Sequence, residues 1–261
     1  MSITIAAWNV NSILARLPTA LAVLKAIDAD VVCLQELKCE DPRFPSLEIG
    51  DLGYNIVTHG QKTYNGVALL SRFPIEDVSR GVPGFDDVQS RYIEAVIAAP
   101  GGPIRVASLY APNGNPLGTE KFSYKLAFME ALERHARARL ALEEPFVIAG
   151  DYNIIPRDGD CHDPRVWETD ALFQPESRAA YRALLNLGYV DAYAQCDGRT
   201  HQYTFWDYQA GAWQKDHGIR IDHLLCTPQA ADRLEAVRIH REARAMEKPS
   251  DHVPILATLR A

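Results

Sequence analysis

The sequence predicts one layered α/β domain, with two β-sheets packed face to face and helices outside. Three observations carry that prediction. Strand-like segments alternate with segments of helical period through the whole 261-residue chain. No linker, low-complexity tract or exact repeat divides them, so residues 1–261 are expected to form a single domain. Both halves follow one plan: a strand, a helix, then a strand ending in a carboxylate.

Ile3 to Trp8 is read as the first strand, ending in Asn9-Val10-Asn11. Leu17, Leu21, Leu24 and Ile27 recur at helical spacing, with Pro18 acceptable in a first turn, so 17–27 is expected to be helical. Val31-Val32-Cys33-Leu34 forms a second, buried strand that stops at Gln35-Glu36. Strands are expected at 54–58, 66–71, 75–79, 91–98 and 104–109, separated by turn residues. Tyr110 to Pro116 is rich in turn formers and reads as a loop. Residues 119–142 form a long helix with an apolar face through Phe122, Leu126, Met129, Leu132 and Leu140. Arg134, Arg137 and Arg139 belong to its solvated side, and His135 to the same basic face. Pro145-Phe146-Val147-Ile148-Ala149 is a buried strand that Gly150 should end in a turn. Residues 158–174 lack a period and read as a long loop, a length that is often functional. A helix over 176–187 stops at Gly188. Strand-like pieces follow at 189–193, 203–206, 219–226, 236–240 and 253–259.

Composition narrows the class. An apolar share of 47% supports a sizeable core. The net charge of −7 argues against a protein that coats nucleic acid through bulk charge. It leaves room for an enzyme that gathers carboxylates at a metal and places bases locally. Five scattered cysteines without a Cys-x-x-Cys motif fit reduced thiols better than a disulfide framework or zinc site. There is no membrane-length apolar run and no signal-peptide pattern at the N-terminus, so a cytoplasmic protein without membrane attachment is expected.

Polar residues leave apolar runs at five places: Asn9/Asn11, Glu36, Asp151/Asn153, Asp222/His223 and Asp251/His252. Each alone reads equally as a turn or cap. On one side of a sandwich they would form a cluster, and crowded carboxylates raise one another's pKa unless a cation sits among them. Ligand sets rich in carboxylate and amide oxygen suit Mg²⁺ or Mn²⁺. That points to metal-assisted phosphoryl chemistry.

Seven segments occur in order: Trp8-Asn9-Val10-Asn11, Leu34-Gln35-Glu36-Leu37-Lys38, Tyr64 to Ser71, Tyr110-Ala111-Pro112-Asn113-Gly114, Gly150 to Ile154, Arg220-Ile221-Asp222-His223 and Ser250 to Pro254. Together they resemble the successive motifs of the exonuclease–endonuclease–phosphatase superfamily, most closely its exonuclease III branch of abasic-site DNA repair nucleases. The resemblance spans essentially the whole chain and implies a four-layered α/β sandwich with mixed sheets. It also implies a metal site of Asn9, Glu36, Asp151, Asn153, Asp251 and His252 around Mg²⁺ or Mn²⁺, with Glu36 the main ligand. Asp151 would orient or deprotonate the attacking water, and Asn153 would hold the phosphate or the nucleophile. His252, ordered by Asp222, would contact the scissile phosphate, and Tyr110 would donate to it or assist the leaving group. Asn11 stands where some relatives carry an acid.

The implied substrate is double-stranded DNA with abasic sites or trimmable 3′ ends, cut by a monomer. Arg91, Asn113, Lys121 and Trp206 are the expected DNA contacts, with Lys62, Lys125 and Arg178 further phosphate candidates. In Thr204-Phe205-Trp206-Asp207-Tyr208, Trp206 is expected to line the pocket for the base-less sugar and Phe205 to belong to the core. The runner-up is a relative acting on RNA or small phosphoesters. A silent binding module is disfavoured, because each catalytic position carries a reactive residue. Cys161, His162, His217 and His223 are expected to have no direct role.

Overall fold

The computed structural model describes residues 2–260. Its elements are β1 (Ser2–Asn9), α1 (Leu17–Ile27), β2 (Val31–Gln35), α2 (Ser46–Gly50), β3 (Asn55–His59), β4 (Val67–Ser71), β5 (Ile75–Arg80), β6 (Tyr92–Ile97), β7 (Ile104–Tyr110), α3 (Glu120–Leu140), β8 (Phe146–Asp151), α4 (Pro164–Trp167), α5 (Pro175–Leu187), β9 (Val190–Asp191), α6 (Ala192–Cys196), β10 (Asp222–Cys226), α7 (Pro228–Ala231), β11 (Leu234–Ile239) and β12 (Ile255–Arg260). One sheet has the order β11-β12-β1-β2-β4-β3, the other β5-β6-β7-β8-β10-β9.

The two sheets share one wiring. In each, a central parallel pair is joined across a helix: β1 and β2 through α1, β7 and β8 through α3. Every other pairing is antiparallel. Alternation along the strands then sets the layers. Ile3, Ile5, Ala7, Val31 and Cys33 face Val106, Val147, Ala149 and Leu224 between the sheets. Ala6, Trp8, Val32 and Leu34 point the other way, onto Ala20, Val23 and Leu24 of α1. On the far sheet, Ala107, Leu109 and Ile148 meet Phe128, Met129 and Leu132 of α3 and Tyr181 and Leu184 of α5. The result is the expected four-layered sandwich. Among the described residues, no helix is long and apolar enough to cross a membrane.

Local chemistry explains the helix ends. Thr119 caps α3 by accepting from the Lys121 amide. Gly188 closes α5 in the left-handed conformation, φ 118°.

Several expectations need correction. Residues 189–193 hold only a two-residue strand, because the Asp191 carboxylate accepts from the Tyr193 and Ala194 amides and starts a helix there. Residues 203–206 form isolated bridges, Phe205 pairing with Ile219 and with His252. The 158–174 segment contains a short helix capped by Asp163. His135 and Arg139 are not on a solvated face: both contact Glu94, a carboxylate with no exposed surface. Tyr92 and Arg105 complete that cage. A charge so buried persists because several donors replace its water.

Candidate active site

Strand ends from both sheets converge on one cleft. β1 and β2 run parallel and carry Asn9 and, one residue past β2, Glu36 to the same end. β7 and β8 do likewise with Tyr110 and Asp151, whose Cα atoms are partners. β10 runs opposite to β8, so its first residue, Asp222, pairs with Asp151. Asp251 and His252 arrive just before β12, which is antiparallel to β1.

Gly150 does not turn the chain. It lies inside β8, where a Cβ would sit 2.0 Å from the Leu109 carbonyl oxygen, so only glycine lets β7 and β8 approach there. The turn comes at Asn153, φ 49°, and Glu36 is also left-handed at φ 54°. Non-glycine residues adopt that conformation at a cost, and here it aims two functional side chains into the cleft.

A hydrogen-bonded row links the acids. The Asn9 Nδ2 donates to Glu36 Oε1 at 2.8 Å and to Asp151 Oδ2 at 3.0 Å. Its oxygen accepts from the Asn11 amide at 3.0 Å, which fixes the orientation of the carboxamide. Asn9 therefore clamps the two carboxylates through its nitrogen. Asp151 Oδ1 accepts from the Asn153 amide at 2.8 Å. Asn153 Nδ2 donates to the Ala111 carbonyl, and its Oδ1 accepts from Asn113 at 3.3 Å. Below the row, Gln35 donates to Ser108 at 3.0 Å and ties the two sheets together.

Asp151, Asp222 and His252 bring possible ligand atoms within 4.8 Å of one another. His252 Nδ1 bonds Asp222 Oδ2 at 2.8 Å, and its Nε2 lies 3.8 Å from Asp151 Oδ2. Burial alone would lower the His252 pKa, but the charge and hydrogen bond of Asp222, helped by Asp151 and Asp251, push it up to about 10. The imidazole is therefore a cation at neutral pH. Burial, with Asp222 and Glu36 nearby, raises Asp151 to about 7 against the lowering pull of His252 and Asn9. Burial would likewise raise Glu36, yet Lys38 and Asn9 hold it below the ordinary carboxylate value. Burial, then Glu36 and Asp151, push Tyr110 well above the usual phenol value, so it remains a donor.

The cleft has a volume of about 310 Å³. Glu36, Tyr110, Asp151, Asn153, Asp251 and His252 line its polar side; Trp167, Leu172, Phe205, Ile219 and Ile221 line an apolar wall. The Trp206 expectation fails here. Neighbours in extended chain point to opposite sides, so Phe205 faces the cleft, with its ring centroid 4.9 Å from that of His252. Trp206 turns inward with no exposed surface, bonding Asp216 through its indole nitrogen and packing on Trp213.

The basic candidates divide. Lys121 and Lys62 are exposed. Arg91 stacks on Tyr110, 4.8 Å from the ring centre, and donates to Gln89. Lys125 is not a surface phosphate contact: it is fully buried and donates to the carbonyls of Asn113 and Asn153. Arg178 is committed to Asp158 and the Pro156 carbonyl. His223 is buried, between Arg220 and the Ile154 carbonyl. Sequence reasoning missed Lys125 as an internal strut. Its signal was its spacing, since it falls on the stripe of Met129, Leu132 and Ala136. Trp167 and Leu172 were missed because residues in a long loop carry no period.

The donor set suits a hard divalent cation. Glu36, Asp151 and Asp251 offer carboxylate oxygens to one cleft, whereas the histidine nitrogen nearest them carries a proton.

Residues 6–252 match the model of the Endonuclease/Exonuclease/phosphatase family. The chain is 35% identical to exodeoxyribonuclease III of Haemophilus influenzae over 259 residues, covering 96% of this chain and 97% of that one. A 3′ phosphatase from Neisseria, solved with a product DNA hairpin, superposes with TM-score 0.94 at 38% identity, covering 99% of this chain and 100% of that one. An AP endonuclease from Archaeoglobus fulgidus gives the same TM-score, 0.94, at 35% identity and with coverage of 99% and 100%.

Proposed function

The chain belongs to the Endonuclease/Exonuclease/phosphatase family, and from that premise we propose that it is a Mg²⁺- or Mn²⁺-dependent DNA repair hydrolase. It incises the backbone 5′ to abasic sites and trims 3′ ends, acting as a cytoplasmic monomer on double-stranded DNA. The observation that carries this reading is the charged His252–Asp222 pair lying against Asp151 beside an apolar wall.

Water attacking a phosphodiester needs a base, stabilisation of phosphate charge and help for the leaving oxygen. Asp151 is the base: its carboxylate takes the proton of the attacking water. His252 holds its Nδ1 proton on Asp222 and directs its Nε2–H at a non-bridging phosphate oxygen. Asp222 keeps that imidazole charged and oriented, as the carboxylate does in other hydrolase triads. Tyr110, a phenol at neutral pH, donates to the phosphate or to the departing 3′ oxygen. Glu36, with Asp251 and Asp151, would hold the divalent ion, which when bound neutralises phosphate charge and polarises water. Asn9 sets the spacing of Glu36 and Asp151, and the Asn153 amide restrains Asp151. Phe205, Trp167, Leu172, Ile219 and Ile221 form the apolar wall against which a sugar without its base packs, where a base would clash. Arg91, Asn113 and Lys121 contact the DNA backbone.

Two relatives of similar identity bear names for 3′ end processing and for abasic-site incision. One experiment therefore tests both activities. A duplex with a single abasic site and a duplex ending in a 3′ phosphate are incubated with Mg²⁺, with Mn²⁺ or with chelator. Metal-dependent cleavage of either supports the reading; no metal-dependent product from either refutes it.

A further inference from the structure

Lys38 has no part in the chemistry described above, yet it sits on the carboxylate assigned to the metal. Its ammonium lies 2.8 Å from Glu36 Oε2, while Glu36 Oε1 is held by Asn9. The same ammonium donates to Asn11 Oδ1 at 2.5 Å. Asn11 in turn donates to Asp251 Oδ1 at 3.1 Å. A continuous row, Asn9–Glu36–Lys38–Asn11–Asp251, thus crosses the rim of the cleft with one cation between two carboxylates. The backbone builds this row: Asn11 and Lys38 adopt left-handed conformations, φ 43° and 55°, as Glu36 does. Three such residues in one small cluster imply that the surrounding fold enforces the placement.

Asn11 matters because it is neutral. An acid there would share the Lys38 charge; the carboxamide orients the ammonium and leaves Glu36 as its ion-pair partner. A divalent ion approaching Glu36 Oε2 then meets a positive charge already seated on that oxygen.

We propose that Lys38 is the resident counter-cation of Glu36, and that its competition with the divalent ion sets how much metal the site requires. The proposal rests on the metal-dependent reading above. Lysine suits the role, because its ammonium is a point charge on a flexible four-carbon stem that can leave the carboxylate. Even at the dielectric of bulk water, a +1 and a +2 charge about 5 Å apart repel enough to weaken binding on the order of tenfold, and the part-buried setting of Lys38 and Glu36 makes that a lower bound.

The test measures binding of Mn²⁺ alone to the full chain, without DNA, by calorimetry and by the electron paramagnetic resonance of free Mn²⁺ at fixed ionic strength. Lys38→Met and Lys38→Gln should each tighten the dissociation constant by at least roughly tenfold. Lys38→Arg, which keeps the charge, should remain within about twofold of wild type. Lys62→Met controls for net charge, since Lys62 is exposed on another loop, and should leave the constant unchanged. Thermal melts identify a variant that fails to fold, in which case the remaining neutral variant is compared with Lys38→Arg. Unchanged or weaker Mn²⁺ binding in the neutral variants overturns the proposal while leaving the metal-dependent reading intact. An equal gain from Lys62→Met also overturns it. A wild-type chain that binds no Mn²⁺ overturns both.

Discussion

Replacing Asp222 with asparagine tests the core of the site with the least change of shape. In the wild-type protein His252 donates through Nδ1 to Asp222 at 2.8 Å, and its pKa is raised from 6.5 to about 10. At about 1.4 kcal/mol per pH unit, that rise is worth ~5 kcal/mol of native-state preference for the charged imidazole. Asp222 supplies the largest favourable share, ahead of Asp151 and Asp251. The folded state therefore holds a proton that the unfolded chain releases near pH 6.5. The stabilisation is present in full below about pH 6.5 and is lost as pH rises through about 10. Asp222→Asn removes the charge but keeps the volume, so the His252 pKa should fall below about 8. Nitrogen-detected imidazole titration reads this directly. Urea denaturation reads it as stability: the gap between wild type and variant should be largest near pH 6.5 and shrink by several kcal/mol toward pH 10, within the ~5 kcal/mol above. The maximal hydrolytic rate should drop about 10²- to 10³-fold, as when a preorganised donor to a phosphate or oxyanion is lost. A His252 titration that does not move, or a stability gap equal at the two pH values, would refute the assignment of His252 as the buried cation.

Asp151→Asn should reduce turnover by at least about 10³-fold while changing DNA affinity less than about threefold, because the base is lost and the shape kept; anisotropy and single-turnover rates on the same abasic duplex separate the two. Since Asp151 is raised to about 7, the wild-type rate should fall on the acid side of neutrality as the base becomes protonated, and more metal should move that limb to lower pH; a rate flat from pH 5 to 8 would count against it. Phe205→Ala should change the preference between abasic and intact 3′ ends with little loss of stability. Trp206→Ala, which empties a fully buried site, should instead destabilise the fold by about 3–5 kcal/mol; the reverse pattern in melts and assays would return Trp206 to the cleft. Raising salt should weaken DNA binding along a linear log–log plot, with the slope reduced by about one in Lys121→Ala.

The strands, the long helices and the carboxylate-tipped strand ends were legible in the sequence because each depends on local periodicity and local turn chemistry. Ile3, Ile5 and Ala7 against Ala6 and Trp8 give β1 two apolar faces, and a strand buried on both faces must lie inside a layered fold. A parallel pair in each sheet delivers Asn9 with Glu36, and Tyr110 with Asp151, to the same side, while Asp222 and His252 reach it at the start of antiparallel β10 and just before antiparallel β12. Tertiary structure alone decided which way ambiguous side chains face. Whether Phe205 or Trp206 meets the cleft depends on a bridge to Ile219 and His252, residues distant in the chain. Whether Lys125 and His135 are surface charges or internal struts depends on the carbonyls and the carboxylate that other elements bring to them. Which atom of Asn9 faces the two acids depends on the orientation of one amide, set by the Asn11 backbone and by Asp151 from the opposite sheet. Periodicity records which residues avoid water; the partner that satisfies each buried polar group is a non-local fact, fixed only when the sheets close on each other.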